Sequence, residues 1–375
     1  MFKKVLIFLL GIVFSIALLM FVTIFASLRG VGIDNSKVGA NDDEVVTVAV
    51  ADLPQSDAVD ELDYIPQFST IPTLDRPDIH GFLSRVEYNN NVAYLLGSMH
   101  AGRANWFPLN PIVEEAMARS AVFAFETDLE FFLALDDDLD NMPASIFLEA
   151  LVIIAMEDEL SMLPYDITLE DVLSPNVFEN LIEMLETYKH VTYGDIYFLT
   201  PEPAFGTIIN TEFNSYISIY DEYSVDLYVL DFALTHDKPT IGLNDVFYET
   251  LLMFTIPIEV QAGLFEGFQD RDTALNEYIE AFNALIEAYE TQDAERIHYI
   301  EFGNLQDYSN IPFVYYRHEV FAYRTSIYAN EILRLLRETE EPTTFFVTVG
   351  AAHIIYGYIF RTLEANGIEI VELWR

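Results

Sequence analysis

Short apolar runs alternate with longer amphipathic stretches from about residue 76 to the end of the chain. Each short run is rich in β-branched or aromatic residues and closes at a glycine or a polar residue, as strands do. Helical stretches separate most of these runs, and this alternation is typical of a layered α/β fold. The predicted strands are residues 92–96, 121–125, 239–243 and 344–349. We therefore predict an α/β domain at 76–375, with a mixed sheet and flanking helices.

Three long helices are predicted from apolar positions that recur every three to four residues. Ser174 followed by Pro175 provides an N-cap and a first-turn proline, so a helix is expected to run to about residue 186. The same spacing predicts helices at about 271–298 and 314–337. Their apolar stripes are expected to face the core.

The first 75 residues differ from the rest of the chain. Lys3 and Lys4 precede an uncharged apolar segment, residues 5–28, that is long enough to cross a bilayer as a helix. Basic residues favour the cytoplasmic side, so residues 1–4 are predicted to be a cytoplasmic stub and the domain to be extracytoplasmic. Residues 29–75 have no sustained periodicity and are predicted to be an acidic tether. The alternative is a cleaved signal peptide, which predicts a secreted or periplasmic protein.

Charge and composition narrow the range of functions. The formal net charge is −43 and the pI about 4.1, so the surface would repel phosphate backbones and nucleic-acid binding is not expected. The chain has no cysteine, which excludes disulfides, thiolate metal sites and a cysteine nucleophile. Hydrophobic residues make up 52% of the chain, too many for a disordered acidic tail.

Candidate chemistry is concentrated where the predicted strands end. His100 follows Gly97 by three residues after the first strand, and His353 follows Gly350 by three residues after the last one. Glu126 ends the second strand. Parallel strands present their carboxyl ends at one edge of a sheet, so these side chains are expected to converge with Asn244 from the remaining strand if the strands are neighbours.

Two imidazoles and a carboxylate form a ligand set that suits zinc, manganese, cobalt or iron. A glycine before each histidine would let the chain turn close to such a site. For either histidine taken alone, the alternative is an imidazole that only satisfies a hydrogen bond in the core or at its rim.

The motifs GSMH, FAFETDL, SVDLYVLDFALTHDKPTIGLN and FFVTVGAAH occur in this order, with an arginine-bearing helix before the last. Over roughly residues 78–375 the chain therefore resembles the TraB/PrgY/GumN family, which is related to the Tiki proteins. The resemblance implies a mixed α/β fold with two pseudo-equivalent halves, each carrying one G-x-x-H motif, and a final strand after the second motif. Tiki-type members are implied to be membrane-tethered proteases that depend on manganese or cobalt.

The resemblance also implies roles for individual residues. It implies that His100 and His353 bind the metal and act in catalysis, with Glu126 as a further ligand or as the base for the attacking water. It also implies that Asp226, which matches an aspartate at a helix start, is a metal ligand. Arg324 matches a family arginine and is expected either to stabilise developing negative charge or to pair with Glu126.

Two positions depart from the family pattern. Thr325 follows Arg324 where the family usually has Arg-Asn, and Asn244 follows Leu243 where it usually has Leu-Glu. The second change removes a carboxylate that would be a possible ligand or general base.

The leading hypothesis is a membrane-tethered, metal-dependent hydrolase that cleaves a peptide or protein substrate with manganese, cobalt or zinc. One alternative is a metal-free, esterase-like hydrolase with a histidine base. The other is a catalytically silent module that binds a peptide, haem or metal. The oligomeric state is left open.

Overall fold

Four adjacent parallel strands form one side of a six-stranded mixed sheet in the computed structural model. The strand order is β4-β3-β5-β2-β1-β6; β4, β3, β5 and β2 run parallel, and β1 pairs antiparallel with both β2 and β6. The strands are β1 Ser84–Tyr88, β2 Asn91–Ser98, β3 Val122–Phe125, β4 Thr240–Gly242, β5 Thr344–Gly350 and β6 Ile370–Glu372. All four predicted strands are therefore confirmed, and they are neighbours.

The structure describes most of the chain after residue 77. The described residues are 78–129, 152–153, 160–188, 190–208, 223–245, 247–248, 256–269, 271–302 and 312–374. The predicted cytoplasmic stub, membrane anchor and tether all lie outside this part of the chain. Among the described residues, no helix combines the length and the apolar character that crossing a bilayer requires.

The strand register brings the carboxyl ends of the parallel strands to one edge. Ser98 at the end of β2 is paired with Gly350 at the end of β5, and Phe125 at the end of β3 is paired with Gly242 at the end of β4. β2 and β5 are buried along nearly their whole length, as expected for parallel strands covered on both faces. The segments that leave these strands therefore start side by side.

Twelve α-helices are described, together with 3₁₀ helices at Ala104–Trp106 and Ala262–Gln269. The α-helices are α1 Pro111–Arg119, α2 Leu169–Val172, α3 Pro175–Tyr188, α4 Tyr193–Ile196, α5 Pro201–Ile208, α6 Val225–Thr235, α7 Ile258–Gln261, α8 Arg271–Glu290, α9 Ala294–Phe302, α10 Pro312–Glu338, α11 Ala351–Ile355 and α12 Tyr358–Ala365. α1, α6, α10, α11 and α12 contact the sheet and build the main core with it. A smaller second core lies among α2, α3, α4, α5 and the second 3₁₀ helix.

The predicted helices near 174–186 and 314–337 are confirmed as α3 and α10. The prediction of one helix over 271–298 is wrong, because α8 ends at Glu290 and α9 begins at Ala294. Gln292 takes a left-handed backbone conformation with φ of 57°, which stops the helix. The Asp293 carboxylate then accepts a hydrogen bond from the Arg296 N–H at the start of α9.

Candidate functional site

The side chains of His100, Glu126 and His353 converge around Gly350. A methyl group added to Gly350 would lie 3.3 Å from Glu126 Oε1, 3.6 Å from His100 Nε2 and 3.7 Å from His353 Cδ2. The three side chains come from the segments that follow β2, β3 and β5, at the edge where the parallel strands end. The structure thus brings together the two predicted histidines and the predicted carboxylate.

His100 lies on the exposed side of the site and is held by Asp226. Its Nδ1 is 2.9 Å from Asp226 Oδ2, and the Ser98 hydroxyl donates to Asp226 Oδ1 at 2.7 Å. Asp226 is in the first turn of α6, which begins after Ser224, and the N-terminal end of a helix favours a negative charge. With Nδ1 engaged by the carboxylate, Nε2 of His100 is the nitrogen nearest to Gly350.

His353 lies on the buried side of the site, in the first turns of α11. Its Nδ1 is 2.7 Å from Thr325 Oγ1 on α10, and its ring stacks on Phe321 with centroids 4.0 Å apart. Its Nε2 lies 3.6 Å from Glu126 Oε1. Both histidines therefore use Nδ1 for a supporting contact. Nε2 of His100 faces Gly350, whereas the His353 ring turns Cδ2 toward Gly350 and Nε2 toward Glu126.

Glu126 is nearly buried, and its carboxylate is held by three donors. Oε1 accepts the Gly350 N–H at 2.6 Å, and Oε2 accepts from Arg324 Nη2 at 3.1 Å and from the Tyr328 hydroxyl at 3.3 Å. Arg324 also donates to the Tyr328 oxygen at 3.1 Å. Of the two roles expected for Arg324, the structure has the ion pair with Glu126.

The two histidines carry different charges at neutral pH. The negative charge of Asp226 raises the pKa of His100 to about 10. Water screens part of this attraction because 69% of the His100 side chain is exposed, but the adjacent carboxylate keeps the ring protonated. Burial lowers the pKa of His353 to about 4, against the opposing attraction of Glu126, so this ring is neutral.

Glu126 is ionised even though it is buried. Burial acts to raise its pKa, but the positive charges of His353, His100 and Arg324 and the Gly350 N–H outweigh burial and lower the pKa to about 2. Because His353 is neutral at neutral pH, the partners that keep Glu126 ionised there are His100, Arg324 and Gly350.

The remaining candidate residues lie around this centre. Asn244 is next to the backbone of Glu126, because its N–H donates to the Glu126 carbonyl at 3.1 Å. Its side-chain oxygen accepts from the Asp245 N–H in the same turn. Asp226, which the resemblance implied as a metal ligand, lies behind His100 and uses both carboxylate oxygens for His100 and Ser98.

Gly97 and Gly350 hold equivalent places in the two motifs but have different neighbours. A methyl group on Gly97 would lie 3.0 Å from the Ala351 Cα and 3.2 Å from the Gly81 carbonyl oxygen. The Tyr289 hydroxyl also donates to the Gly97 carbonyl at 2.9 Å. Gly97 thus permits close packing of backbone segments, whereas Gly350 leaves space between the candidate catalytic side chains.

The donor types at the site fit a divalent transition metal. Imidazole and carboxylate donors suit such ions, and each histidine has its Nδ1 held by an outer partner, as metal-ligating histidines usually do. Within the ranges that the structure describes, no group of three or more His, Asp or Glu side chains is arranged closely enough to hold a metal ion. As the structure places them, His100, His353 and Glu126 therefore do not form a metal site, and binding an ion would require their side chains to move.

Sequence reasoning missed Tyr328, Ser98 and the contact of Thr325 with His353. Tyr328 is four residues after Arg324 on α10, so both side chains lie on one helix face and reach the same carboxylate. That spacing was the available signal for Tyr328. Ser98 lies inside the first G-x-x-H motif, where only its glycine and histidine were considered.

Comparison with known proteins supports the family resemblance that the motifs indicate. The family model described as the TraB/PrgY/gumN family matches residues 82–372. No curated protein and no solved structure matches the chain. The match spans both G-x-x-H motifs, Glu126 and Arg324, and it covers well over half of the sequence. The chain belongs to the TraB/PrgY/gumN family.

Proposed function

We propose that the protein is a hydrolase that cleaves peptide bonds at the edge of the sheet around Gly350, with manganese, cobalt or zinc held by His100 and His353. The observation that carries the proposal is that His100 Nε2 faces Gly350 and His353 Nε2 lies 3.6 Å from Glu126 Oε1 beside it, while a separate partner holds each Nδ1. Such an ion, when bound, supplies a coordinated water with a pKa of about 7 and polarises the scissile carbonyl.

The protein residues have distinct roles in this proposal. His353 offers an uncharged Nε2 beside Glu126, and Asp226 orients His100 so that its Nε2 faces Gly350. Glu126 supplies the negative charge of the site as a ligand or as an acceptor that orients water. The alternative role of Glu126 is that of general base toward the attacking water. Arg324 pairs with Glu126 and fixes its position.

A metal-free hydrolase is the second candidate. A neutral His353 and a protonated His100 near the same point would form a base and an acid without any ion. This candidate uses the same residues, so loss of turnover on substitution does not separate the two candidates. Sensitivity to a chelator does.

The test is a peptide-cleavage screen with the full-length protein in mild detergent. A peptide pool is incubated with manganese, cobalt or zinc, and the products are read by mass spectrometry. We expect cleavage by the wild type, loss of cleavage in His353→Gln and Glu126→Gln, and full activity in His236→Ala, whose exposed histidine lies at the end of α6.

Each other outcome of the screen has a definite meaning. Cleavage that a chelator does not reduce would favour the metal-free hydrolase. Peptide binding without cleavage at any metal concentration would contradict both hydrolase proposals and favour a binding module.

We further propose that residues 5–28 anchor the protein in a membrane, with Lys3 and Lys4 on the cytoplasmic side and the domain on the other side. The absence of charge over this segment and the two preceding lysines support the proposal. Retention in the membrane fraction after alkaline extraction, together with digestion of the domain by external protease, is expected. N-terminal sequencing that starts after residue 28 would instead identify a cleaved signal.

A further inference from the structure

Thr325 makes two hydrogen-bond contacts through one hydroxyl oxygen. Thr325 Oγ1 lies 2.7 Å from the Phe321 carbonyl oxygen, one turn earlier on α10, and 2.7 Å from His353 Nδ1. Thr325 is fully buried and His353 nearly so. The Thr325 hydroxyl therefore lies away from bulk solvent.

The hydroxyl has one proton to share between these contacts. The Phe321 carbonyl only accepts, so the 2.7 Å contact is a hydrogen bond only if Thr325 donates to it. If the proton pointed at His353 instead, two oxygen acceptors would face each other at 2.7 Å in a buried place, which is unfavourable. Thr325 must therefore accept from His353, and Nδ1 of His353 must carry the hydrogen.

A neutral imidazole with hydrogen on Nδ1 has its lone pair on Nε2. In His353 this nitrogen lies 3.6 Å from Glu126 Oε1 and faces the candidate site. The Phe321 ring, stacked on His353 with an interplanar angle of 9°, limits rotation of the imidazole out of this orientation. One turn of α10 thus supplies a carbonyl, a hydroxyl and a ring that act on the same histidine.

We propose that Thr325 is a positioning residue, which fixes His353 as the Nδ1–H tautomer and so keeps the Nε2 lone pair directed at the site. The inference rests on the proposed function only for the effect of the tautomer on metal binding, because the tautomer itself is a property of the metal-free protein. It also gives a role to Thr325, which stands where the family resemblance implies the asparagine of an Arg-Asn pair. An asparagine side chain has an oxygen that accepts in the same way.

The test is ¹⁵N NMR of the full-length, metal-free protein labelled at histidine, at alkaline pH, where an ordinary histidine is neutral. The His353 signals are assigned by their loss in His353→Gln. We expect the wild type to show a protonated Nδ1 and an unprotonated Nε2. A protonated Nε2, or a mixture of both tautomers, would overturn the proposal without reference to any variant or activity.

Three substitutions at Thr325 separate positioning from packing. Thr325→Val keeps the side-chain shape but removes the acceptor, so the tautomer preference is expected to disappear and cobalt affinity to fall about 10- to 100-fold. Thr325→Ser and Thr325→Asn keep an acceptor oxygen and are expected to preserve both the tautomer and the affinity. Circular dichroism and thermal unfolding check that each variant is folded.

Two results with these variants would contradict the positioning role of Thr325. A Thr325→Val protein that keeps the wild-type tautomer would overturn the proposal, and so would loss of the tautomer in folded Thr325→Ser. If the tautomer behaves as expected but no metal binds to the wild type, the positioning role stands and the proposed metal-dependent function fails.

Discussion

His100 and His353 each follow a strand-end glycine by three residues, yet their surroundings are opposite. His100 is 69% exposed and contacts a carboxylate, whereas the His353 side chain is 5% exposed and contacts a hydroxyl. The first ring is therefore a cation at neutral pH and the second is neutral. The comparison teaches that the motif determines where each histidine lies, while the carboxylate of Asp226 determines the charge of His100 and burial determines that of His353.

Glu126 lies beside both histidines, and its removal is expected to have the largest effect on stability. Glu126→Ala leaves the Arg324 guanidinium without its carboxylate in a mostly buried place, which typically costs about 3–5 kcal/mol of unfolding free energy. Thermal and denaturant unfolding measure the loss. Glu364→Ala, an exposed position on α12, is the control and should change stability by less than about 0.5 kcal/mol.

A loss below about 1 kcal/mol in Glu126→Ala would contradict a stabilising role of the ion pair between Glu126 and Arg324. Turnover is also expected to be lost in this variant.

The pH dependence of stability should have opposite signs at the two histidines. The pKa of His353 is lowered from 6.5 to about 4, so the unfolded chain binds the extra proton and stability falls as pH decreases through this window, by up to about 3 kcal/mol. The pKa of His100 is raised from 6.5 to about 10, so the folded state binds the extra proton and stability falls as pH rises through that window.

Thermal unfolding across pH, measured on the metal-free protein, tests both signs. His353→Gln should flatten the acid side of the profile, and His100→Gln the alkaline side. Glu126, with a pKa lowered from 4.5 to about 2, contributes only below about 4.5, so the range between about 6.5 and 4.5 isolates His353. The same slope in both variants would contradict the assigned charges.

Substitutions of the two motif glycines, Gly97 and Gly350, are expected to have different effects on stability and on metal binding. Gly97→Ala places a methyl group against the backbone of Ala351 and Gly81, and such overpacking is expected to cost about 1–3 kcal/mol. Gly350 has φ of −51°, which alanine adopts readily, so Gly350→Ala should change stability by less than about 1 kcal/mol. Its methyl group, however, would occupy the point where the three side chains converge, and metal binding should be lost.

Unfolding curves and cobalt titrations of the two glycine variants check this prediction. Equal destabilisation by both substitutions, or full cobalt binding by Gly350→Ala, would mean that the two glycines do not have separate roles.

The number of protons released when a metal binds is the smallest of the expected effects. Binding of a transition metal requires neutral imidazoles, so at neutral pH His100 should release about one proton and His353 none. Calorimetric titration with cobalt in buffers of different ionisation enthalpy counts the protons. Asp226→Asn removes the charge that holds the His100 proton and should lower the count, and an unchanged count would contradict the role of Asp226.

Much of the central sheet was predictable because parallel strands buried on both faces are nearly continuous apolar runs. β1 was missed because its sequence, SRVEY, carries Arg85 and Glu87 in alternation with core residues. The signal for its hairpin was Asn89-Asn90, since both residues adopt positive φ between β1 and β2. The break between α8 and α9 was missed because the apolar spacing alone does not reveal a left-handed Gln292.

The positions of the strand ends predicted that His100, Glu126 and His353 lie together. They did not predict which residues form hydrogen bonds with the two histidines. Asp226 is 126 positions away from His100 along the chain, and Thr325 is 28 positions away from His353. Contacts at such separations depend on how the helices pack on the sheet. For the same reason, Thr325 was read from the sequence only as a departure from the family, whereas the structure has it bonded to a site histidine.

Metal content of the full-length protein tests the central claim most directly. Protein incubated with manganese, cobalt and zinc, then freed of excess ions, is analysed by inductively coupled plasma mass spectrometry alongside two double variants. We predict about one equivalent of transition metal in the wild type and in the control His236→Ala/His298→Ala, and none in His100→Ala/His353→Ala. No metal in the wild type, or an equal amount in His100→Ala/His353→Ala, would contradict the claim that these two histidines form a metal site.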